Sequence, residues 1–221
     1  MGIDDLANNY PVLYHMASEG SWKGIREHGL LSTSRLLDLY GIVGQERVAI
    51  EDRHRSETVT ISHERYGTAH IRDQKPMSDS GLARALHDGL SPADWYRILN
   101  SKVFFWTNTH RLSKLLCARA YRSSPHDVLS LDTRDVVGAY AARVRLCPMN
   151  SGATKPFPHP RGRDTFLPIS EYPWSEWVRR RGVEEAVVEV AFEEGVPDVE
   201  RYVHRVVRMQ EERELEVLFQ R

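Results

Sequence analysis

The chain has 221 residues, 41% hydrophobic and 28% charged, with a formal net charge of −1, which fits one large or two small soluble globular domains. Apolar runs no longer than Val103–Trp106 or Ala186–Val188 exclude a membrane span, and two cysteines outside any Cys-x-x-Cys pair, Cys117 and Cys147, argue against a disulfide framework or a structural zinc site. A near-neutral charge supplies no global field for nucleic acid, so such a partner would have to use local patches.

The N-terminal MGIDDLANN lacks the basic and apolar regions of a signal peptide, and Leu6 breaks a myristoylation pattern. With reduced thiols, the expected compartment is the cytoplasm. Ser18 or Ser21 is expected to cap a short helix carrying Trp22 and Ile25 and ended by Gly29. Ser34 is expected to cap Arg35–Tyr40, stopped by Gly41. Residues 44–75 are polar, with brief β-like pieces at Thr58–Ile61 and Ala69–Arg72. Ser80–Gly89 reads as helical, and Ser91-Pro92 opens a helix to about Asn100 with Asp94 in its first turn.

Lys102–Thr107 reads as an aromatic strand, followed by a helix capped by Thr109 and running to Tyr121. Its spacing puts Cys117 on the buried face, as a core thiol rather than a nucleophile. Val128–Leu131 and Arg143–Cys147 are predicted strands around a helix Arg134–Ala141 capped by Thr133. The Pro- and Gly-dense stretch 148–166 is a long loop, and such loops inside compact domains are functional or disordered. Tyr172–Arg181 is a short helix, Glu185–Phe192 a strand, Gly195-Val196-Pro197 a turn and Tyr202–Val207 a last strand. LEVLFQ at 215–220 looks like the left half of a viral 3C protease site added to recombinant proteins, so residues 215–221 are given no function. Helices early and strands late give an α+β domain over 1–214.

Gly-rich phosphate loops and a Gly-x-Ser-x-Gly elbow are absent. His63, Glu64 and His70 lack the spacing of a His-Glu-x-x-His zinc site and suit a solvated strand and turn. Four pieces remain: 13-LYHMASEGSWKGIREHGLLS-32, the arginine-rich 53-RHRSETVTI-61, the aromatic 103-VFFWT-107 and 186-AVVEVAFEEGVPDV-199. In the last, alternation puts Val187, Glu189 and Ala191 on one face and Val188, Val190 and Phe192 on the other. A carboxylate there faces water, a partner or a site. It is either an exposed strand position or a catalytic group on a rigid strand.

The order of these pieces resembles the ADP-ribosyltransferase superfamily, in particular DarT-type DNA ADP-ribosyltransferase toxins and a related uncharacterised bacterial domain family. Those proteins carry a Tyr/Leu-His segment with Gly-Leu-Leu-Ser, an arginine-bearing segment, an aromatic strand, and a Glu strand followed by Val-Pro. The likeness covers about residues 12–207. The chain departs in lacking a threonine shortly after the His, in a helical insertion at about 77–100, and in its loop before Glu189.

The resemblance implies a split, mostly antiparallel sheet with surrounding helices. It also implies transfer of ADP-ribose from NAD, as co-substrate, to a nucleic-acid base, in DNA by analogy, with release of nicotinamide and no metal. It gives Glu189 the role of stabilising an oxocarbenium-like ribose. Arg55, or its neighbour Arg53, would neutralise the pyrophosphate or position the ribose. Tyr14, His15 and Ser32 would hold NAD, and Phe105 and Trp106 would wall the nicotinamide pocket. The bland alternatives are a core histidine, a helix cap for Ser32, a solvated arginine loop and an aromatic core strand. In the 149–167 loop Asn150, Phe157, Arg161, Arg163 and Phe166 would meet the acceptor through phosphate bonds and base stacking, with Arg179-Arg180-Arg181 extending the path. An antitoxin or a reversing hydrolase would be a partner. Two other readings stay open: a KptA-like RNA 2′-phosphotransferase, which depends on His and Arg rather than Glu, and a non-catalytic nucleotide-binding module.

Overall fold

A computed structural model describes residues 1–221. In chain order the elements are α1 (Ile3–Asn9), β1 (Val12–Ser18), α2 (Ser21–His28), β2 (Leu30–Leu31), α3 (Thr33–Leu39), α4 (Gly44–Glu51), β3 (Val59–His63), β4 (Gly67–Ile71), α5 (Asp79–Ala85), α6 (Pro92–Asn100), β5 (Lys102–Trp106) and α7 (Thr109–Leu116). They continue as β6 (His126–Asp132), α8 (Thr133–Tyr140), β7 (Val144–Cys147), β8 (Leu167–Pro168), α9 (Trp174–Arg181), β9 (Glu189–Glu193), β10 (Gly195–Val196), β11 (Val203–Gln210) and β12 (Arg213–Gln220).

The fold is α+β. Eight strands form one sheet in the order β12-β11-β6-β1-β5-β9-β7-β8, every neighbouring pair antiparallel. β2–β10 and β3–β4 form two small two-stranded pairs. The sheet has a seam: β1 meets β5 at the single register pair Tyr14↔Trp106, whereas β1 and β6 share seven pairs.

Period-2 alternation sorts the strand residues between cores. Phe105, Val190 and Phe192 join the main core with Leu13, Leu129 and Leu146. Ala191 and Cys147 face the other way, where the 77–100 insertion buries Trp95, Tyr96 and Leu99 against them. The insertion is therefore a structural cover for one face of β9. Residues 33–71 make a separate small module around Leu37, Tyr40, Ile50, Ile61 and Ile71.

Several local expectations change. The caps of α2 and α3 are Gly20 and Ser32, not Ser18, Ser21 or Ser34. Asn108 and Asp132 cap α7 and α8 one residue ahead of the threonines, their Oδ1 atoms accepting from the backbone N–H of Arg111 and Asp135, while Thr109 and Thr133 are already the first helical residues. Helix α7 ends at Leu116, which leaves Cys117 exposed at its C-cap rather than in the core. The ladder of β9 starts at Glu189, not Glu185, since Tyr10, Tyr172 and Thr107 side chains bind the backbone of 186–187. Val187 accordingly packs in the main core, off the Glu189 face. Helices α1 and α4 arise where none was expected. Segment 215–221, read as an added tail, lies within and just past β12, whose Leu218 and Phe219 pack on the main core. No helix is long and apolar enough to cross a membrane.

Candidate active site

A cleft of about 330 Å³ lies between the main sheet and the 33–71 module, lined among others by His15, Ser32, Arg72, Asp73, Trp106 and Glu189. It opens at the seam. There the backbone ladder between β1 and β5 gives way to side chains: His15 Nδ1 lies 2.9 Å from Phe104 O, and Arg72 Nη1 donates to Met16 O at 3.1 Å. A carbonyl only accepts, so His15 Nδ1 carries the proton and Nε2 keeps its lone pair. Burial drives the His15 pKa down to about 4, and the Arg72 charge pushes the same way. The ring is therefore neutral at physiological pH, an acceptor fixed at the mouth of the seam.

Ser32 reaches the cleft through β2. The ladder pairs Leu30↔Val196 and Leu31↔Gly195 tie the Gly-Leu-Leu-Ser segment to the turn after β9. Two glycines permit this approach. A Cβ on Gly29 (φ 91°) would lie 2.5 Å from Pro197 O, and one on Gly195 (φ 104°) only 2.2 Å from Leu30 O. Ser32 Oγ caps α3 by accepting from Arg35 N at 3.3 Å, which leaves its O–H free to donate. Cap and cleft residue are thus the same side chain.

Glu189 is 4% exposed. It stands in register with Trp106 on β5 and Cys147 on β7, so the three side chains share one face. Ser151 N donates to its two oxygens at 3.3 and 3.2 Å. Burial raises its pKa to about 7, while the Ser151 bonds and the charges of Arg111 and Arg161 oppose the rise. A carboxyl poised there can exist in either ionisation state near neutrality. Cys147 is fully buried, and burial together with the Glu189 charge raises its thiol well above the usual range, so it is not a nucleophile.

The arginines sort differently from the sequence expectation. Arg53 is exposed and outside the cleft lining. Arg55 touches the lining, but its guanidinium is spent on structure. It donates to Ile50 O at 2.5 Å, Arg72 O at 3.1 Å and Asn100 Oδ1 at 3.0 Å. Arg55 ties α4, α6 and the segment just after β4 together. Arg72 is the cation with donors to spare: one bond to Met16 O, and a face-on contact 4.7 Å from the centre of the Tyr121 ring. Tyr121 in turn donates to Asp73 Oδ1 at 2.8 Å. No motif marked Arg72, since 71-IRDQKPM-77 has no periodicity.

Other expected site residues are redistributed. Tyr14 packs against the Leu112–Leu116 cluster and does not line the cleft. Phe105 is fully buried in the main core, because the Trp106 face and the Phe105 face are opposite; Phe104 takes its place in the lining. Trp106 and Asn150 do line it. Phe166 stacks on Trp95 and tilts against Phe104 inside the second core, so buried there it offers no free face to a base. Arg161 is fully buried and bonds only to main-chain carbonyls, which rules out a phosphate role. Phe157, at 77%, and Arg163 are exposed on the loop. Arg181 bonds Pro148 O at the base of that loop, while Arg179 is exposed on α9.

A family model matches residues 11–203, from just before β1 to the first residue of β11. The chain belongs to DUF7002, a family of unknown function. No curated protein matches it. The DUF7002 region holds every cleft residue named above and leaves out α1 and β12.

Proposed function

We propose that this DUF7002 protein is an NAD-dependent mono-ADP-ribosyltransferase that modifies a nucleic-acid base, with DNA as the acceptor. The observation that carries the reading is Glu189: a buried carboxylate on a central strand, held by a backbone N–H and opening into a cleft shared with a neutral histidine and a serine hydroxyl. The residues fit the co-substrate chemically. His15 Nε2 accepts from a ribose hydroxyl, the Ser32 hydroxyl donates to an amide or ribose oxygen, Arg72 meets a pyrophosphate, and Trp106 offers an aromatic wall. NAD would supply the ADP-ribosyl group and lose nicotinamide.

The chain's own part is electrostatic. Ionised Glu189 places a negative charge and two acceptor oxygens beside the sugar, where positive charge develops as the glycosidic bond stretches. The same carboxylate can take a proton from the acceptor base. Trp106 and the second core keep water from its flank. Exposed Phe157 and Arg163, on the loop that continues from Ser151, suit a base and a phosphate.

The test is incubation of the protein with labelled NAD and DNA, RNA or protein. Label on DNA, lost with Glu189→Gln, is expected. No transfer to any acceptor, or equal transfer by the variant, overturns the reading. Release of 2′-phosphate from RNA by the variant would instead favour the phosphotransferase.

A further inference from the structure

We infer that Arg161 is a positioning residue that holds Glu189 in its ionisable, cleft-facing state through Ser151; this rests on the reading of Glu189 as the working carboxylate of the cleft. The connection is short. Ser151 N donates to both Glu189 oxygens. Ser151 O accepts from Arg161 Nη1 at 2.8 Å and from Trp95 Nε1 at 3.4 Å. Nη2 of Arg161 bonds Ala153 O at 2.7 Å, and its Nε bonds His159 O at 3.0 Å. One guanidinium thus folds residues 151–161 back on themselves and fixes the residue that grips the carboxylate.

The burial of this arginine is the unusual part. It is 0% exposed, no carboxylate pairs with it directly, and its plane lies over Trp95, 5.6 Å from the ring centre. A buried cation without an ion-pair partner is costly, and the three carbonyls offset only part of that cost. Its charge is felt by two neighbours, Glu189 and Cys147. The groups facing Glu189 are Cys147 on β7, Arg111 on α7 and Arg161 with Ser151 on the loop. Arg111 is already committed to Glu185. Arg161 is therefore the cation not neutralised by another acid, and it favours the carboxylate form of Glu189.

The insertion has a place in this device. Arg161 pairs with Leu86 in a parallel bridge and donates its backbone N–H to Ala85 O at 2.9 Å, while Trp95 comes from α6. The 77–100 segment grips the loop from outside, and the loop grips Glu189.

The test is a titration by nuclear magnetic resonance of the Glu189 side-chain carboxyl, labelled with carbon-13 and assigned by its loss in Glu189→Gln. It needs no catalytic turnover, so an inactive wild type would count against the proposed reaction and leave this inference standing on its own result. In Arg161→Gln, which keeps an amide donor and loses the charge, the midpoint should rise by about one pH unit. In Arg161→Lys it should stay near the wild-type value. Unchanged midpoints in both variants, with wild-type circular dichroism, would overturn the inference and leave Arg161 a strut of the loop. Should the variants not fold, the wild type decides. The Ser151 amide and Arg161 guanidinium nitrogen signals are expected to titrate with the Glu189 midpoint, and flat signals would overturn it.

Discussion

Trp106 and Glu189 are register partners across β5 and β9, so the last ring of the aromatic strand lies beside the buried carboxylate on one face of the sheet. The strand therefore serves both sides of the molecule at once. Phe105 fills the main core while its neighbours Phe104 and Trp106 wall the cleft.

Substituting Glu189 should separate function from folding. Its pKa is held up at about 7 by burial, against an ordinary 4.5, so the folded state binds a proton more tightly than the unfolded chain. That contribution to stability is complete below pH 4.5 and is lost as pH rises through 7. Glu189→Gln should abolish transfer yet unfold at higher urea than wild type at pH 8, by at most about 3 kcal/mol, with no gain at pH 4. Urea titrations at the two pH values check this.

The pH dependence of activity should show one ascending limb. In the proposed transfer only ionised Glu189 supplies negative charge to the ribose, so the rate should climb about tenfold between pH 6 and pH 8. His15 stays neutral throughout, its pKa being near 4, and adds no second limb in that range. An initial-rate profile of NAD consumption, or a limb that persists in a Glu189 variant, decides the assignment.

Arg55 and Arg72 should fail in different ways. Arg55→Ala strands Asn100, Ile50 and Arg72 acceptors in a buried network, so stability should fall by about 3 kcal/mol. Arg72→Gln loses one backbone bond and the cleft charge. It should melt near wild type but bind NAD about 10- to 100-fold more weakly. Thermal melts beside calorimetric NAD titrations distinguish the two.

Gly195→Ala should act at a distance. The new Cβ would enter Leu30 O from a left-handed backbone, at a cost of about 2–3 kcal/mol. The β2–β10 pair then loosens and Ser32 with it, so NAD affinity should drop together with the melting temperature. Gly41→Ala, also at positive φ but with open space around it, is the control and should cost less.

Phe157→Ala should leave stability within about 0.5 kcal/mol of wild type, since the residue is largely exposed. If the loop receives a base, acceptor affinity should fall by about 1–3 kcal/mol. Filter binding of single-stranded DNA reads the difference.

The sequence made some of this legible for physical reasons. Ser91-Pro92 with Asp94 is a local signal, and the helix begins there with both halves of its capping box. Alternation in β9 put Glu189 opposite Val190, and the cores agree. His15 stood out as a polar residue within the apolar Val12–Ala17 stretch, and Ser32 as the polar residue that closes Gly29-Leu30-Leu31. Arg161 was the reverse case: among Pro, Gly and charged neighbours on a loop it suits a phosphate, and only contacts outside its local sequence, with Trp95 and Ser151, show that it is buried. Arg72 was hidden because a half-buried cation after a short strand has no periodic signature. Helices α1 and α4 are short, and β12 falls on a stretch set aside as a tail.

The placement of β9 sets a condition on when the cleft can exist. The strand is drawn from near the end of the family region yet lies inside the sheet, between β5 and β7, and its turn clasps residues 30 and 31. A ribosome-bound chain that has not yet released residue 189 lacks the carboxylate, and one that has not yet released residue 196 lacks the full clasp beside Ser32. The reaction proposed here would therefore be absent from nascent fragments and from products of premature termination before that point, and would switch on only once synthesis of the family region is nearly over.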